Sequence, residues 1–385
     1  MSGRTVKAGE QATSLRYRMM ELAGSMDDVI SLGRGDPDLD TPPNLWKSAL
    51  NHIARVPASC SVRGDARLRE AIAQRLATEK GLAADSEREI LITNGAQEGL
   101  FLCMLALLDP GDVVATPDPR YSSYDQAIGA AGGTLVQIPT GAGRDFALKA
   151  QDLAAHAADA KVLVFVNPSN PTGAFVDPDG TRAIARVACE RDLIVIADEI
   201  YEDLVYDGQR LLSLATCEGM RERTITLSGF SKSYAMTGFR VGYLVGDAEF
   251  IDAVESVKSV TSGPCPIFSQ YTALAALEQE HDTRPAFLEI YARRRERMMS
   301  GLSALGIPHG HMGGGLFMWA DVSPFGIDAE RFCYELLEST GVLMFPGNSF
   351  GERWTQWVRI SLLAPEDKIA EAVERMHAYV NTLTS

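Results

Sequence analysis

The chain has 385 residues, of which 46% are hydrophobic and 23% are charged, with 34 glycines and 18 prolines. This composition is typical of a compact α/β enzyme, and the length favours one large domain beside a smaller one. A net charge of −15 argues against nucleic acid and anionic membranes as partners, because both would repel such a surface.

The cellular location is indicated by features that the sequence lacks. It has no run of about 18 apolar residues, and residues 1–14 carry no apolar stretch of the kind a signal peptide needs. The six cysteines show no C-x-x-C spacing, as expected of reduced thiols. We therefore expect a cytoplasmic protein with no metal site and no membrane or nucleic-acid partner.

The order of elements predicts an α/β fold. From about residue 65, amphipathic stretches such as 68–81 and 97–108 alternate with short runs that are apolar almost throughout. Strands covered by helices on both faces have this character. The runs lie at 89–93, 112–116, 134–139, 161–166, 193–197, 224–228 and 241–246. They predict one open, mostly parallel seven-stranded sheet sandwiched by helices.

A second, smaller α+β domain is predicted from the change of pattern further along the chain. A long helical stretch at 287–305 is followed by an apolar run at 313–322 and by a closing helix from Pro365. We predict a large domain over 47–285 and a small domain formed by 13–46 and 286–385.

Lys232 is the first candidate for chemistry. Ligands of open α/β sheets bind outside the carboxyl ends of the strands, and Lys232 lies just beyond the run 224–228, with Arg240 eight positions later. Desolvation lowers the pKa of a buried lysine, whose neutral amine can form an imine with an aldehyde. An isolated loop lysine is usually a surface residue, but the neighbouring segments favour a reactive one.

Asp198 directly follows the run 193–197, and Tyr201 lies three residues later. A carboxylate at this position can pair with a pyridinium nitrogen and keep it protonated, which makes the ring an electron sink. An apolar strand that ends in Asp-Glu is also typical of nucleotide hydrolases, but these need an upstream G-x-x-x-x-G-K-[ST] loop. The sequence contains no such loop, so the pyridinium interpretation is favoured.

Two further turns follow predicted strands. FVNPSNPTGAF (165–175) presents Asn167 and Asn170, although Asn and Pro are ordinary turn residues. In LITNGAQEGL a strand passes through Gly95, Ala96 and Gln97 into a helix, whose free backbone N–H groups and dipole favour a phosphate. Each signal is weak alone, because a tight turn would explain it equally well.

Together these segments resemble the class I/II aminotransferases of pyridoxal-phosphate (PLP) fold type I, closest to the bacterial aspartate/aromatic-type subgroup. The likeness spans nearly the whole chain, from SLGRGDPDLDTP (31–42) to GNSFGERWTQWVRISL (347–362). GFSKSYAMTGFRVG (229–242) fits the lysine-site signature of this family, including Arg240 and Gly242.

The resemblance implies roles for the residues that would hold PLP. Lys232 would carry the cofactor as a Schiff base, Asp198 would face the pyridine nitrogen, and Asn170 and Tyr201 would be hydrogen-bond partners of the ring 3-oxygen. Tyr121 would stack on the ring. The phosphate would be held by a set of side chains and backbone groups, namely Arg240, Gly95, Ala96, Gln97 and Ser231 or Ser228.

The resemblance also implies a substrate site and a reaction. Arg359 would clamp the substrate α-carboxylate, with Gly35 and Asn170 in contact with the same substrate, since a guanidinium binds a carboxylate bidentately. The expected reaction moves an amino group from an L-amino acid to a 2-oxo acid in a ping-pong mechanism, with Lys232 as general base. A homodimer is expected. A PLP-dependent lyase or racemase of the same fold, or a PLP-fold regulatory protein, remains an alternative.

Several positions leave the substrate open. The family usually places a tyrosine five residues before Gly64, where this chain has Ser59, which puts the cross-subunit phosphate contact in doubt. Arg34 stands where many relatives carry a small or apolar residue, and either reads an acidic substrate group or forms a structural salt bridge. The aromatic residues Tyr124, Phe317 and Phe350 suit an aromatic or aliphatic side chain instead.

Overall fold

The computed structural model describes residues 15–51, 60–279 and 281–384. Ser59 lies outside these residues. In the described parts the strands are β1 (Ile30–Ser31), β2 (Ile90–Thr93), β3 (Val113–Asp118), β4 (Thr134–Pro139), β5 (Val162–Val166), β6 (Ile194–Asp198), β7 (Thr224–Gly229), β8 (Gly242–Val245), β9 (Phe317–Asp321), β10 (Val342–Leu343), β11 (Phe345–Pro346) and β12 (Trp357–Ser361). The α-helices are α1 (Leu15–Gly24), α2 (Pro43–Leu50), α3 (Ala66–Arg75), α4 (Ala96–Leu107), α5 (Ser123–Ala130), α6 (Ala150–His156), α7 (Pro178–Glu190), α8 (Ala248–Thr261), α9 (Ile267–Glu278), α10 (Arg284–Ala304), α11 (Ala329–Thr340) and α12 (Glu366–Thr384).

The described chain divides into two compact units. The large unit comprises 36–292 and 310–316, and the small unit comprises 15–35, 293–309 and 317–384. The predicted domain limits of 47–285 for the large domain, and of 13–46 with 286–385 for the small one, stay a prediction.

The large unit is built on the predicted seven-stranded sheet, whose strand order is β2-β8-β7-β6-β5-β3-β4. Strands β3 to β7 are parallel, and β8 runs antiparallel to both of its neighbours. The prediction of an open, mostly parallel α/β sheet is confirmed. The carboxyl ends of β2, β3, β5, β6 and β7 consequently lie at the same edge of the sheet, where β8 begins.

Helices cover both faces of this sheet, which explains why its strands are apolar throughout. One core cluster joins α4, α5 and α8 to the sheet, through residues such as Leu100, Ile128 and Val254. A second cluster joins α3 and α9 to the sheet, through residues such as Leu68 and Leu274.

The helix predicted over 68–81 has a wider last turn than expected. After α3 the chain continues as a π-helix over Leu76–Lys80 and ends at Gly81, whose φ of 68° is left-handed. Lys80 therefore lies at the end of the widened turn, a position that regular helical periodicity does not give.

The small unit holds the remaining sheets. Strands β11, β12 and β9 form an antiparallel sheet in that order, and β1 pairs with β10 in parallel. The apolar run at 313–322 contains β9, and the closing helix is α12, as the sequence predicted. Across the described ranges, none of the helices combines the length and the apolar character needed to cross a bilayer.

Candidate active site

The predicted cofactor-site residues of the large unit follow the strands that end at one edge of the sheet. Lys232 comes after β7, Asp198 is the last residue of β6, Asn170 follows β5, and Tyr121 follows β3. Gly95 follows β2, and Arg240 lies two residues before β8, the strand of opposite direction. The topology of the sheet thus gathers positions that are up to 145 residues apart in the chain.

Lys232 lies in the short turn that follows β7. Its side chain is only 14% exposed, and its Nζ lies 3.5 Å from Oδ1 of Asp36. Asp36 carries a more exposed carboxylate and directly follows Gly35. No local motif predicts this pair, because the two residues are 196 positions apart.

Asp198 carries a buried carboxylate whose two oxygens each accept a hydrogen bond. The Tyr124 hydroxyl donates to Oδ2 at 2.7 Å, and the Ile200 backbone N–H donates to Oδ1 at 3.2 Å. Burial raises the pKa of Asp198 from 3.8 to about 6, although both hydrogen bonds favour the ionised form. The carboxylate is therefore held by neutral donors and retains the capacity to bind a cation.

Tyr124 differs from its predicted environment. The sequence suggested it as part of a substrate side-chain pocket, but the side chain is 1% exposed and its hydroxyl binds Asp198. Tyr124 is the second residue of α5, and its ring meets that of Tyr121 edge to face, with 5.7 Å between centroids. The sequence signal that could have found it is the short spacing from Tyr121.

The loop that carries Tyr121 is fixed by an arginine that the sequence did not single out. Arg120 is buried, and its Nη1 donates to Oδ1 of Asp118 at 3.0 Å. Its Nε and Nη2 donate to the two carboxylate oxygens of Asp125, at 2.6 and 2.7 Å. This bidentate clamp joins the end of β3 to α5 and orders the intervening residues.

The two asparagines of the turn after β5 have different environments. Asn167 uses its side-chain amide within the turn, because its Nδ2 donates to the Val176 carbonyl and its Oδ1 accepts from the Val176 N–H, both at 2.9 Å. Asn170 and Tyr201 are both buried in the same unit. The side chain of Asn167 therefore stabilises the turn itself. The predicted roles of Asn170 and Tyr201 stay predictions.

The turn between β2 and α4 brings the Gly95 backbone close to the Arg240 side chain. Gly95 has a φ of 83°, and a Cβ at this position would lie 2.4 Å from Nη2 of Arg240. The N–H groups of Gly95, Ala96 and Gln97 begin α4, where a helix has no backbone acceptors of its own for them. Arg240 donates through Nη2 to the Asn94 carbonyl at 3.4 Å.

A buried ion pair supports this turn. The side chain of Lys258 on α8 is fully buried, and its Nζ lies 2.8 Å from Oε2 of Glu98. Glu98 in turn accepts from the Asn94 backbone N–H at 2.6 Å and from its Nδ2 at 2.7 Å. Although burial opposes ionisation, these donors hold the pKa of Glu98 below its usual value. Periodicity alone does not reveal a buried lysine with this role.

The hydroxyl candidates for the phosphate, Ser228 and Ser231, are both buried at the end of β7 and just beyond it. The Ser231 carbonyl accepts from Oγ1 of Thr237 at 3.1 Å, which closes the turn that leads to Arg240. Arg240 itself has a left-handed φ of 51°. The turn thereby places an exposed guanidinium beside the start of α4.

Arg359 and Gly35 belong to the small unit. Arg359 lies in the middle of β12 and is 1% exposed, with Nη2 donating to the Gly33 carbonyl at 2.8 Å. Phe317 and Phe350 flank its guanidinium, with ring centroids 4.1 and 4.6 Å from Cζ. The two phenylalanines that the sequence suggested for a substrate pocket thus pack on the arginine and limit its orientations.

Comparison with known proteins identifies the family. A model described as aminotransferase class I and II matches residues 27–376. An aspartate aminotransferase from Pyrococcus abyssi is 34% identical over 364 residues, which cover 93% of each chain. Aromatic-amino-acid aminotransferase 2 from Thermococcus litoralis is 32% identical with the same coverage of both. The crystal structure of an aromatic aminotransferase from Pyrococcus horikoshii has a TM-score of 0.90 at 33% identity, covering 94% of this chain and 99% of that one.

These similarities extend along almost the full length of this chain and of each protein compared with it. They agree with the seven-stranded sheet described above. They do not favour the lyase, racemase or regulatory alternatives. The predicted enzyme class, a transaminase, is confirmed, and the chain belongs to the aminotransferase class I and II family.

Proposed function

We propose that the protein is a PLP-dependent aminotransferase that binds its cofactor covalently through Lys232 and moves an amino group from an L-amino acid to a 2-oxo acid. The observation that carries the proposal is one edge of the large-unit sheet. A shielded lysine, a buried carboxylate with neutral donors and a helix start beside an arginine follow neighbouring strands there.

The residues present fit PLP on chemical grounds. Asp198 is a buried acid, and both of its hydrogen-bond donors are neutral. A pyridinium N–H would supply a positively charged donor for this carboxylate. Gly95 has a φ of 83°, which strains any residue with a Cβ, so the backbone conformation at the start of α4 favours glycine. A phosphate dianion matches the free N–H groups and the positive end of the helix dipole.

When bound, PLP supplies an electron sink for charge that develops at the substrate Cα. In this proposal Asp198 holds a proton at the ring nitrogen, and Asn170 and Tyr201 contact the ring 3-oxygen. Tyr121 covers the ring face. Arg240, the N–H groups of Gly95, Ala96 and Gln97, and the Ser231 hydroxyl bind the phosphate.

The substrate is handled by two kinds of group. Arg359, with Gly35 and Asn170, binds and orients the α-carboxylate, and the flanking phenylalanines leave its guanidinium little freedom. The Lys232 amine removes the proton from the substrate Cα and later returns a proton. The same residues serve both half-reactions, so ping-pong kinetics are expected.

The test is a transamination assay on purified protein supplied with PLP. A panel of L-amino acids is offered with 2-oxo acids, and it includes aspartate and aromatic amino acids because similar proteins carry those names. We expect new 2-oxo acids to form, and we expect Lys232→Ala to lose turnover together with the absorption band of bound PLP. Cofactor binding without transamination, or racemised or eliminated products instead, would reject the proposal.

We also propose that the enzyme is a cytoplasmic homodimer. The family resemblance supports a dimer, and the six cysteines, all unpaired, are typical of a reducing compartment. Sedimentation of the PLP-loaded protein at several concentrations tests the dimer, and a monomer at micromolar concentration would contradict it.

A further inference from the structure

We infer that Tyr124 is a positioning residue that orients the Asp198 carboxylate toward the ring nitrogen of the cofactor and keeps it ionised. This inference rests on the proposed function, since it concerns the contact between Asp198 and PLP. Tyr124 would therefore take part in the reaction through Asp198. The sequence suggests a different role for it, in a pocket for the substrate side chain.

The geometry fixes both carboxylate oxygens. The Tyr124 hydroxyl, which belongs to α5, donates a 2.7 Å hydrogen bond to Oδ2. The Ile200 N–H, which lies in the turn after β6, donates a 3.2 Å hydrogen bond to Oδ1. Because the two donors come from different elements, rotation of the carboxylate would break at least one hydrogen bond. Each oxygen keeps a second lone pair, which can accept from a ring N–H.

The position of the Tyr124 ring is itself determined by packing. The side chain belongs to the core cluster that joins α5 to the sheet, and its neighbour Tyr121 contacts it edge to face. Arg120 ties the start of this region to Asp125 on α5 and to Asp118 on β3. The hydroxyl is therefore held in place at a fixed distance from the end of β6 and is not free to follow the carboxylate.

A tyrosine suits this task better than a cation. A lysine or arginine in its place would neutralise Asp198 and compete with the pyridinium, whereas a neutral hydroxyl stabilises the negative charge and leaves it available. Burial and the Asp198 charge both raise the pKa of Tyr124 well above its usual value. The hydroxyl therefore stays a donor over the whole working range of pH.

Other charged and titratable groups act on the same pair. Glu199 raises the pKa of Asp198 and Lys232 lowers it, both as minor influences beside burial and the two hydrogen bonds. Tyr201 and Tyr121 both raise the pKa of Tyr124. Removal of the Tyr124 hydroxyl leaves burial less opposed, so the pKa of Asp198 must rise.

Tyr124→Phe keeps the ring and removes the donor. A hydrogen bond to a charged group contributes about 1.5–3 kcal/mol, which corresponds to about a 10- to 100-fold loss. We expect a fall of this size in kcat with little change in KM for the amino acid, because the substrate carboxylate is bound elsewhere. The acid limb of the kcat profile should move to higher pH.

The direct readout is the protonation of the ring nitrogen, measured by NMR on wild type and variant loaded with PLP that carries an isotopic label at that nitrogen. We expect a protonated signal in wild type and a signal shifted toward the neutral form in Tyr124→Phe. The matched control is Tyr379→Phe. It removes a hydroxyl that donates to a carboxylate oxygen of Glu335 at 2.9 Å in the small unit, and it should leave signal and pH profile unchanged.

A double-variant comparison shows whether Tyr124 acts through Asp198. In an Asp198→Asn background, Tyr124→Phe should cause no further change in the ring-nitrogen signal. If Tyr124→Phe does not fold, fluorotyrosine introduced at position 124 serves as the second variant. It preserves the shape of the side chain and makes the hydroxyl a stronger donor, so the acid limb should move to lower pH.

The outcomes separate this inference from the proposed function. Wild type without a bound-PLP absorption band would reject the proposed function. A normal band in wild type, with signal, kcat and acid limb unaltered in Tyr124→Phe or in the fluorotyrosine protein, would overturn the inference alone.

Discussion

The Lys80 ammonium lies 2.7 Å from a carboxylate oxygen of Glu199, the residue next to Asp198. Lys80 also pairs with Glu202, and Arg75 contacts Glu202 at 3.1 Å and Asp203 at 2.8 Å. Within segment 198–203, Asp198 thus accepts a hydrogen bond from Tyr124, whereas the other acidic residues of the segment pair with Lys80 and Arg75. The widened turn at Leu76–Lys80 brings Lys80 to this place.

Lys80→Met should destabilise the protein strongly. Burial opposes the charge of Lys80, but the charges of Glu199 and Glu202 outweigh it and raise its pKa. Removal of the cation takes the Lys80 ion pair from the buried Glu199, while Glu202 keeps Arg75, and a broken buried pair typically costs about 3–5 kcal/mol. Urea unfolding measures the difference. Arg182→Met, which breaks an exposed pair with Asp179, is the control and should change stability little. An equal effect of the two substitutions would contradict the prediction.

Arg359→Lys should weaken binding of the amino acid and leave PLP bound. A guanidinium binds a carboxylate through two hydrogen bonds, and a hydrogen bond to a charged group contributes about 1.5–3 kcal/mol, so KM should rise about 10- to 100-fold. Steady-state kinetics with the absorption band as a check of cofactor occupancy give the answer. Arg375→Lys, at an ion pair with Asp28, should behave as wild type. An unchanged KM in Arg359→Lys would show that this arginine does not contact the substrate.

Lys258→Met should lower the affinity for PLP. The substitution leaves the Glu98 charge uncompensated beside Asn94 and the start of α4, where the phosphate is proposed to bind. A loss of about 1–2 kcal/mol, or about 5- to 30-fold, is reasonable for a partly buried charge. Equilibrium dialysis of PLP measures it. Adding Glu98→Gln removes the charge and should restore most of the affinity, whereas a double variant as weak as the single one would show that the charge is not the cause.

The stability of the cofactor-free protein should carry a pH signature of Asp198. Its folded pKa of about 6 exceeds the ordinary value of 3.8, so between these values the folded state holds more protons than the unfolded state. The contribution is therefore present below about pH 4 and is lost as pH rises to about 6, by about 3 kcal/mol. Acids with lowered pKa values, such as Glu98, act in the opposite direction. The difference between wild type and Asp198→Asn isolates the effect, and parallel stability curves for the two would exclude it.

The sheet could be predicted from the sequence because each strand is a short apolar run that ends in turn residues. The run 224–228, for example, is β7 (Thr224–Gly229) with one residue added. The ends of helices are harder to predict from the sequence, since the helix predicted over 68–81 changes to a π-helix after Arg75. Hydrophobic periodicity records which face is buried, and it does not record the width of a turn.

The site could be predicted only as far as local motifs allow. Lys232 and Asp198 follow strands, and that position carries information in any open α/β sheet. Their supporting residues come from distant segments: Tyr124 lies 74 positions from Asp198, and Lys80 lies 119 positions from Glu199. Such pairs depend on how α5 and the π-helix meet the sheet, which is a property of tertiary packing.

The attachment of the cofactor to Lys232 is tested most directly by reducing the PLP-loaded protein with borohydride and mapping the labelled peptide by mass spectrometry. The described chain also holds the buried Lys258 and the largely shielded Lys80, each paired with a carboxylate. We expect the pyridoxyl group on Lys232 alone. A label on Lys80 or Lys258, or no label on any peptide, would contradict the account.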